Sequence, residues 1–191
     1  MGADSRTSSG NYIANRVADK IVPLHDRIWC CRSGSAADTQ AVADIVSYYM
    51  DSHARELGRA PRVDTCANLT RKICYNNKDN LMAGIIIGGW DPYKGGQVFE
   101  IPLGGLLMPL PYAIGGSGSS YIYGLMDSEY REGMTKEECK AFVKKCVSHA
   151  MARDGSSGGV VRMVVIDKDG FERTCTSGND LPYMPGSDQN W

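Results

Sequence analysis

The chain has no apolar run approaching the roughly 18–20 residues that a membrane-crossing helix needs, so no transmembrane segment is expected. Neither sign of charge dominates. The 21 Lys and Arg against 22 Asp and Glu leave a formal net charge of −1, and no block of like charge stands out. That excludes a nucleic-acid binder working through a broad basic face. Histidine is scarce, at three residues, and the seven cysteines show neither a CxxC pair nor a zinc-like spacing with those histidines. No metal and no cofactor is expected. An odd cysteine count with an adjacent Cys30-Cys31 pair reads as free thiols in a reducing compartment, cytosol or nucleus. The first residues, Met1-Gly2-Ala3-Asp4-Ser5-Arg6, lack the apolar stretch of a signal peptide. Arg6 stands where a myristoylation signal requires Ser or Thr. Internal repeats and low-complexity linkers are absent too.

What remains is an ordinary globular composition over 191 residues, 42% hydrophobic and 23% charged, a length that suits one domain. That domain is expected over residues 1–180, with 181–191, polar and holding two prolines, as a surface tail. The 22 glycines predict many tight turns. Ile13 to Pro23 and Arg27 to Arg32 read as strands, and alternation along the first would place Ala18, Lys20 and Val22 on one face. Ser33-Gly34-Ser35 opens a helix reaching about Leu57, with Ala37, Ala41, Val42, Ile45, Val46 and Tyr49 at helical spacing. Asp64 or Thr65 can cap a second helix. Leu81 to Trp90, Gln97 to Leu103 and Leu106 to Ile114 read as strands, and a third helix covers about Tyr121 to Tyr130. Thr135 and Glu138 form a capping-box pattern, so a fourth helix runs to about Arg153 with Cys139, Phe142, Val143, Cys146 and Ala150 as its stripe. Asp169-Gly170 between two strand-like runs predicts a hairpin. Clustered strands and clustered helices give an α+β class with layers, not a parallel βαβ sheet.

Three Gly/Ser segments, at 33–35, 115–120 and 154–159, are candidates for chemistry. Two open helices, whose exposed N–H groups favour an anion or a developing oxyanion; for any one segment taken alone, a plain turn or cap is the favoured reading. None carries the Gly-Lys-Ser/Thr of a phosphate-binding loop. Lys20, beside apolar Ala18 and Val22, is either a proton carrier withdrawn from water or an edge lysine facing solvent. Arg32 either grips a carboxylate bidentately or makes a surface ion pair of little worth. His149 lies near Cys146 on the fourth helix, but that cysteine belongs to the apolar stripe and reads as core.

Seven segments carry a resemblance: GADSR at 2–6, ANRVADKI at 14–21, RSGSAADTQAVAD at 32–44, LMAGIIIGGWD at 81–91, AIGGSGSSYIYG at 113–124, REGMTKEEC at 131–139 and RDGSSGG at 153–159. In that order they resemble a eukaryotic 20S proteasome beta subunit, over nearly the whole chain. Arg32 with GGSGSSYIYG resembles the caspase-like (beta-1) class, which cleaves after acidic residues. The resemblance implies an N-terminal-nucleophile αββα sandwich, two antiparallel sheets between helix layers. It implies a threonine endopeptidase whose N-terminal threonine hydroxyl attacks the peptide carbonyl while its own amine takes the proton. By the same resemblance the supporting aspartate falls on Asp4, the lysine on Lys20, the serine of GSGS on Ser117 and the remaining pair on Asp154 and Ser157. The oxyanion N–H falls on Gly34. Substrate backbone, added as a strand, falls to Thr7, Ser8, Gly34 and Ala36, and the specificity-pocket walls to Ala18, Val22 and Arg32.

The family carries a further segment ahead of the glycine of GADSR, holding the catalytic threonine, the first strand and most of the second. Only Met1 precedes Gly2 here, so this chain is expected to lack the nucleophile and those strands. Thr7 is not N-terminal and follows no cleavage motif. The implied partners are other alpha and beta subunits in a stacked-ring barrel and an unfolded, usually ubiquitin-tagged polypeptide as substrate; the implied location is cytoplasm and nucleus. The alternative is a non-catalytic structural ring subunit or splice form.

Overall fold

A computed structural model describes residues 1–182, so most of the expected tail, 183–191, lies outside the described residues. The architecture is α+β, with antiparallel sheets flanked by helices, in two compact units.

The second unit, Ile21–Gly116 with Ile166–Glu172, is built on a five-stranded antiparallel sheet. Its strands are β4 (Ile21–His25), β5 (Ile28–Gly34), β6 (Ala83–Asp91), β7 (Gly95–Ile101) and β8 (Met108–Leu110), hydrogen-bonded in that order. Alternation puts Ile28 and Cys30 of β5, Ala83, Ile85 and Ile87 of β6, and Phe99 and Ile101 of β7 into one core cluster. Helices α1 (Ala36–Leu57) and α2 (Val63–Asn76) cover it with Val42, Ala43, Val46, Met50, Val63, Cys66 and Ala67. Burying a side chain such as Ile87 contributes about 1.5–3 kcal/mol each. Ser35 caps α1, its Oγ accepting from the Asp38 N–H at 3.2 Å, and Gly58 ends it in the left-handed region.

The first unit comprises Met1–Lys20, Ser117–Val165 and the residues from Arg173 onward. Strand β1 (Gly2–Ala3) pairs antiparallel with β9 (Val161–Asp167), Gly2 opposite Met163, in a sheet of order β1-β9-β10, where β10 is Gly170–Thr176. The Met1 amine donates to Val164 O at 2.8 Å and extends that ladder. Strands β2 (Thr7–Ser9) and β3 (Tyr12–Asn15) form a separate hairpin. Helices α3 (Tyr123–Glu129) and α4 (Lys136–Arg153) complete the unit, α4 packing on β1 and on the 3-10 turn Ser117–Tyr121. The capping box at Thr135 and Glu138 forms with both of its hydrogen bonds, and α4 buries Phe142, Cys146 and Ala150. Cys146 meets the Met126 sulfur at 3.5 Å, and burial pushes its thiol up to about 11, so it is an inert core residue. Cys139, placed on the same stripe by sequence, is exposed.

The expected strand from Ile13 to Pro23 is two strands with a bend at 16–20 between them. The Asn15 side chain accepts from the Val17 N–H at 2.9 Å, a local turn that competes with strand pairing. Lys20 therefore owes its place to a bend, not to strand alternation. On α1, Ala37, Ala41, Ile45 and Tyr49 are exposed, because the helix is apolar on two faces and the sheet takes the Thr39, Val42, Ala43, Val46, Met50 face. The strand expected over Leu106 to Ile114 shrinks to three residues, since Pro109 and Pro111 remove ladder donors. The second helix starts at Val63, one or two residues before the expected caps. Its N-terminus is closed by Asp91 from β6, which accepts from the Val63 N–H at 3.0 Å.

Asp91 is 1% exposed, and its carboxylate also accepts from the N–H groups of Tyr93 and Lys94 and from Gln97 Nε2. Burial alone would raise its pKa; these four donors outweigh that and hold it below the ordinary carboxylate value. Asp91→Ala strands the donors in the core. Equilibrium urea unfolding should register a loss of about 3 kcal/mol, and an effect under about 1 kcal/mol would show that α2 does not depend on this cap.

Candidate functional site

The first unit draws five of the site residues expected from sequence into one polar cluster. Asp4 directly follows β1, and the bend at 16–20 brings Lys20 back toward it. The Lys20 ammonium donates to Asp4 Oδ1 at 2.6 Å. The other oxygen, Oδ2, accepts from the Arg6 N–H at 3.0 Å and the Gly158 N–H at 2.9 Å. Asp4 therefore faces a charge and two backbone dipoles at once, which fixes its rotamer. With the two side chains only 12% and 26% exposed, the pair is also shielded from the full screening that weakens surface ion pairs.

The second carboxylate, Asp154, lies at the C-terminal end of α4 and is 8% exposed. Its Oδ2 accepts from the Ser117 hydroxyl at 2.7 Å and the Ser157 hydroxyl at 2.6 Å, and its Oδ1 from the Ser156 N–H at 3.0 Å. Burial alone would push this carboxyl up. The Ser157 and Ser117 hydroxyls, the Ser156 N–H and the positive charge of Lys20 outweigh burial and hold it below the usual carboxylate range. Gly118 permits this closeness: a Cβ there would sit 3.0 Å from Ser157 Oγ and 3.4 Å from Asp154 Oδ2. Arg6 steadies the same loop, its guanidinium donating to Gly155 O at 2.8 Å and lying where a Cβ on Gly158 would be 2.5 Å from it.

Thr7 and Ser8 lie on β2, half-buried, with a register shift between them against β3. Ala18 is half-buried in the bend. Among the described residues, no group of three His, Cys, Asp or Glu side chains is arranged to hold a metal ion.

In the second unit, Arg32 and Gly34 end β5 and Ala36 begins α1. Gly34 has φ +95°, and the carbonyl oxygen of Met82 occupies the space a Cβ would need, so only glycine fits. The next residue's N–H donates to that carbonyl, Ser35 N to Met82 O at 2.8 Å, and sets the turn into the helix. Arg32 Nη1 donates to Ala36 O at 3.3 Å, which draws the guanidinium along the strand end. Val22, on β4 opposite Cys30, is half-buried. Sequence reasoning passed over Ser5, Arg6 and the Gly158 N–H. The only trace of them is their position inside the GADSR and RDGSSGG segments, because a serine gives no local sign that it will be buried.

Asp154 sets a pH signature. Its folded pKa is depressed, so its contribution to stability is complete above the unfolded value near 3.8 and is lost as pH falls through the lower folded value. Asp154→Asn should be less stable than the parent at neutral pH, and that gap should narrow on acidification below about pH 4. Thermal unfolding measured from pH 7 to pH 3 checks this; a gap independent of pH would remove the carboxylate charge as the cause.

The sequence model of the family described as "Proteasome subunit" matches residues 1–166. The chain is 59% identical over 182 residues to the proteasome subunit beta type-6 of Dictyostelium discoideum, covering 95% of this chain and 85% of that protein. It is 56% identical over 173 residues to the proteasome subunit beta type-1 of Saccharomyces cerevisiae, covering 91% and 80%. It is 52% identical over 182 residues to the proteasome subunit beta type-9 of Oryzias latipes, covering 95% and 83%. With its antiparallel α+β architecture and its Asp4–Lys20 and Asp154–Ser117–Ser157 clusters, the chain belongs to the proteasome beta-subunit family of threonine endopeptidases.

Proposed function

We propose that this chain is the caspase-like beta subunit of a 20S proteasome core particle, cleaving after acidic residues in ubiquitin-dependent protein degradation. The observation that carries the catalytic part is the 2.6 Å Lys20–Asp4 ion pair in the same unit as the Asp154 hydroxyl cluster. A positive charge anchored this close to a carboxylate and beside a hydroxyl favours deprotonation of that hydroxyl through its field. The nucleophile in this reading is the N-terminal threonine of the mature subunit. Its hydroxyl attacks the scissile carbonyl and its own amine takes the proton. Lys20 stabilises the developing alkoxide and relays protons, while Ser117, Asp154 and Ser157 hold the amine side. The Gly34 N–H receives the oxyanion. Thr7, Ser8, Gly34 and Ala36 hold substrate backbone as an added strand, with Ala18 and Val22 among the residues that shape specificity.

Arg32 is the side chain that supports acidic specificity, because a planar guanidinium matches a carboxylate with two parallel hydrogen bonds. The partners in this reading are alpha and beta subunits in stacked rings, with unfolded polypeptide as substrate. Free thiols at all seven cysteines suit residence in cytoplasm and nucleus.

Two measurements test the reading. In particles containing the full-length subunit, Arg32→Met should lower cleavage after Glu and raise cleavage after Leu. The loss on the Glu substrate is expected at about 2 kcal/mol of transition-state binding, the scale of a charge-assisted hydrogen bond. An unchanged Glu-to-Leu ratio removes Arg32 from the specificity site. Separately, residues 1–191 alone should not turn over a fluorogenic Glu peptide, and a form that begins on the upstream threonine, assembled into particles, should do so sensitively to a threonine-directed inhibitor. Inhibitor-sensitive turnover by residues 1–191 alone would defeat the proposed nucleophile, and an assembled form without turnover would leave the chain a structural subunit of its ring.

A further inference from the structure

Ser5 is fully buried, at 0% exposure, between two charged neighbours. Four hydrogen bonds converge on it. Its N–H donates to Gly158 O at 3.1 Å and its carbonyl accepts from the Ala18 N–H at 2.9 Å. Its hydroxyl donates to Arg16 O at 2.5 Å and accepts from the Val160 N–H at 2.9 Å. One residue thus joins three segments of the first unit: the stretch 4–6 that carries Asp4, the bend 16–20 that carries Lys20, and the loop 154–160 that carries Asp154 and Ser157.

Gly159 confirms how tightly this junction is closed. It has φ +88°, and a Cβ there would land on Ser5 Oγ and lie 2.7 Å from Arg16 O. The hydroxyl therefore occupies space that the neighbouring backbone leaves for nothing larger. Without it, Arg16 O and the Val160 N–H each lose the hydrogen bond it makes. The bend 16–20 has no regular ladder of its own, so its position rests on a few such ties. Arg162 adds one from β9, donating to Val17 O at 3.1 Å, and Arg173 adds another through Asp19 at 2.7 Å.

From this geometry we infer that Ser5 is a positioning residue for the proteolytic reaction: its hydroxyl fixes the bend that delivers the Lys20 ammonium to Asp4. The inference rests on the role proposed above for Lys20. At 0% exposure Ser5 has no surface to offer a substrate. It acts through the Lys20–Asp4 distance, so its removal should alter the charge environment of the nucleophile and leave substrate binding alone.

The test uses assembled particles carrying the full-length subunit with Ser5→Ala, and reads four quantities: labelling by a threonine-directed covalent inhibitor, kcat, KM and the pH dependence of kcat. At wild-type labelling, kcat should fall about tenfold, with its pH profile displaced and KM held within about twofold. Exposed Ser128→Ala should leave all four unchanged. Wild-type kcat and pH profile at full labelling overturn the inference, as does a loss of kcat that labelling accounts for entirely. If Ser5→Ala does not enter the particle, Arg162→Met, which loosens the same bend from β9, carries the test with the same expected and the same overturning result. Lys20→Ala in the same assay separates the two readings: full activity there defeats the proposed role of Lys20, whereas loss there with wild-type behaviour in Ser5→Ala defeats only the inference about Ser5.

Discussion

The carboxylate of Asp4 is the fixed point of the first unit. It spends one oxygen on the Lys20 ammonium and the other on two backbone N–H groups, one of them from Gly158, 154 residues later in the chain. A charged group buried without partners would cost several kcal/mol, so each partner has to arrive for the others to be tolerated. This mutual dependence turns three irregular segments into a rigid site. The stretch 4–6 and the bend 16–20 lie outside helix and strand, and the loop 154–160 joins α4 to β9.

The second carboxylate shows a different solution to the same constraint. Among the described residues no cation pairs with Asp154 at contact distance; two serine hydroxyls and one backbone N–H donate to it. Hydroxyls are weaker partners than an ammonium, yet three of these bonds with the field of Lys20 suffice to keep it ionised against burial. The two acids differ accordingly. Asp4 fixes a positive charge in place, whereas Asp154 aligns hydroxyl dipoles around a negative one. Thus the unit presents an anchored ammonium and an ordered set of oxygen atoms.

In the second unit, packing sets the end of β5 more than charge does. The sheet and its two helices bury one continuous apolar cluster, and the end of β5 emerges from it with Gly34 pressed against the Met82 carbonyl. The position of that glycine follows from strand register, since Gly34 lies opposite Ala83 and the chain must turn at once into α1. Asp91 does comparable work at the other helix, supplying from a strand the cap that α2 lacks in its own sequence.

By itself the sequence determined whatever depends on neighbours within a few residues. The α4 capping box, the Ser35 cap of α1, the hairpin at Asp169-Gly170 and the strands β6 and β7 are local patterns, and each formed within a few residues of its expected place. The candidate site residues were legible through resemblance to the proteasome beta subunits, which names positions and says nothing of why they hold. Only the tertiary structure decided that Ser5 is buried, that Asp91 caps a helix 28 residues before it, that α1 turns Val42 and Met50 inward with Ile45 outward, and that Lys20 sits on a bend. These outcomes rest on hydrogen bonds and packing between residues far apart in the chain. A serine or an aspartate reads the same in sequence whether water or a distant N–H will satisfy it; the fold chooses between them by removing the water.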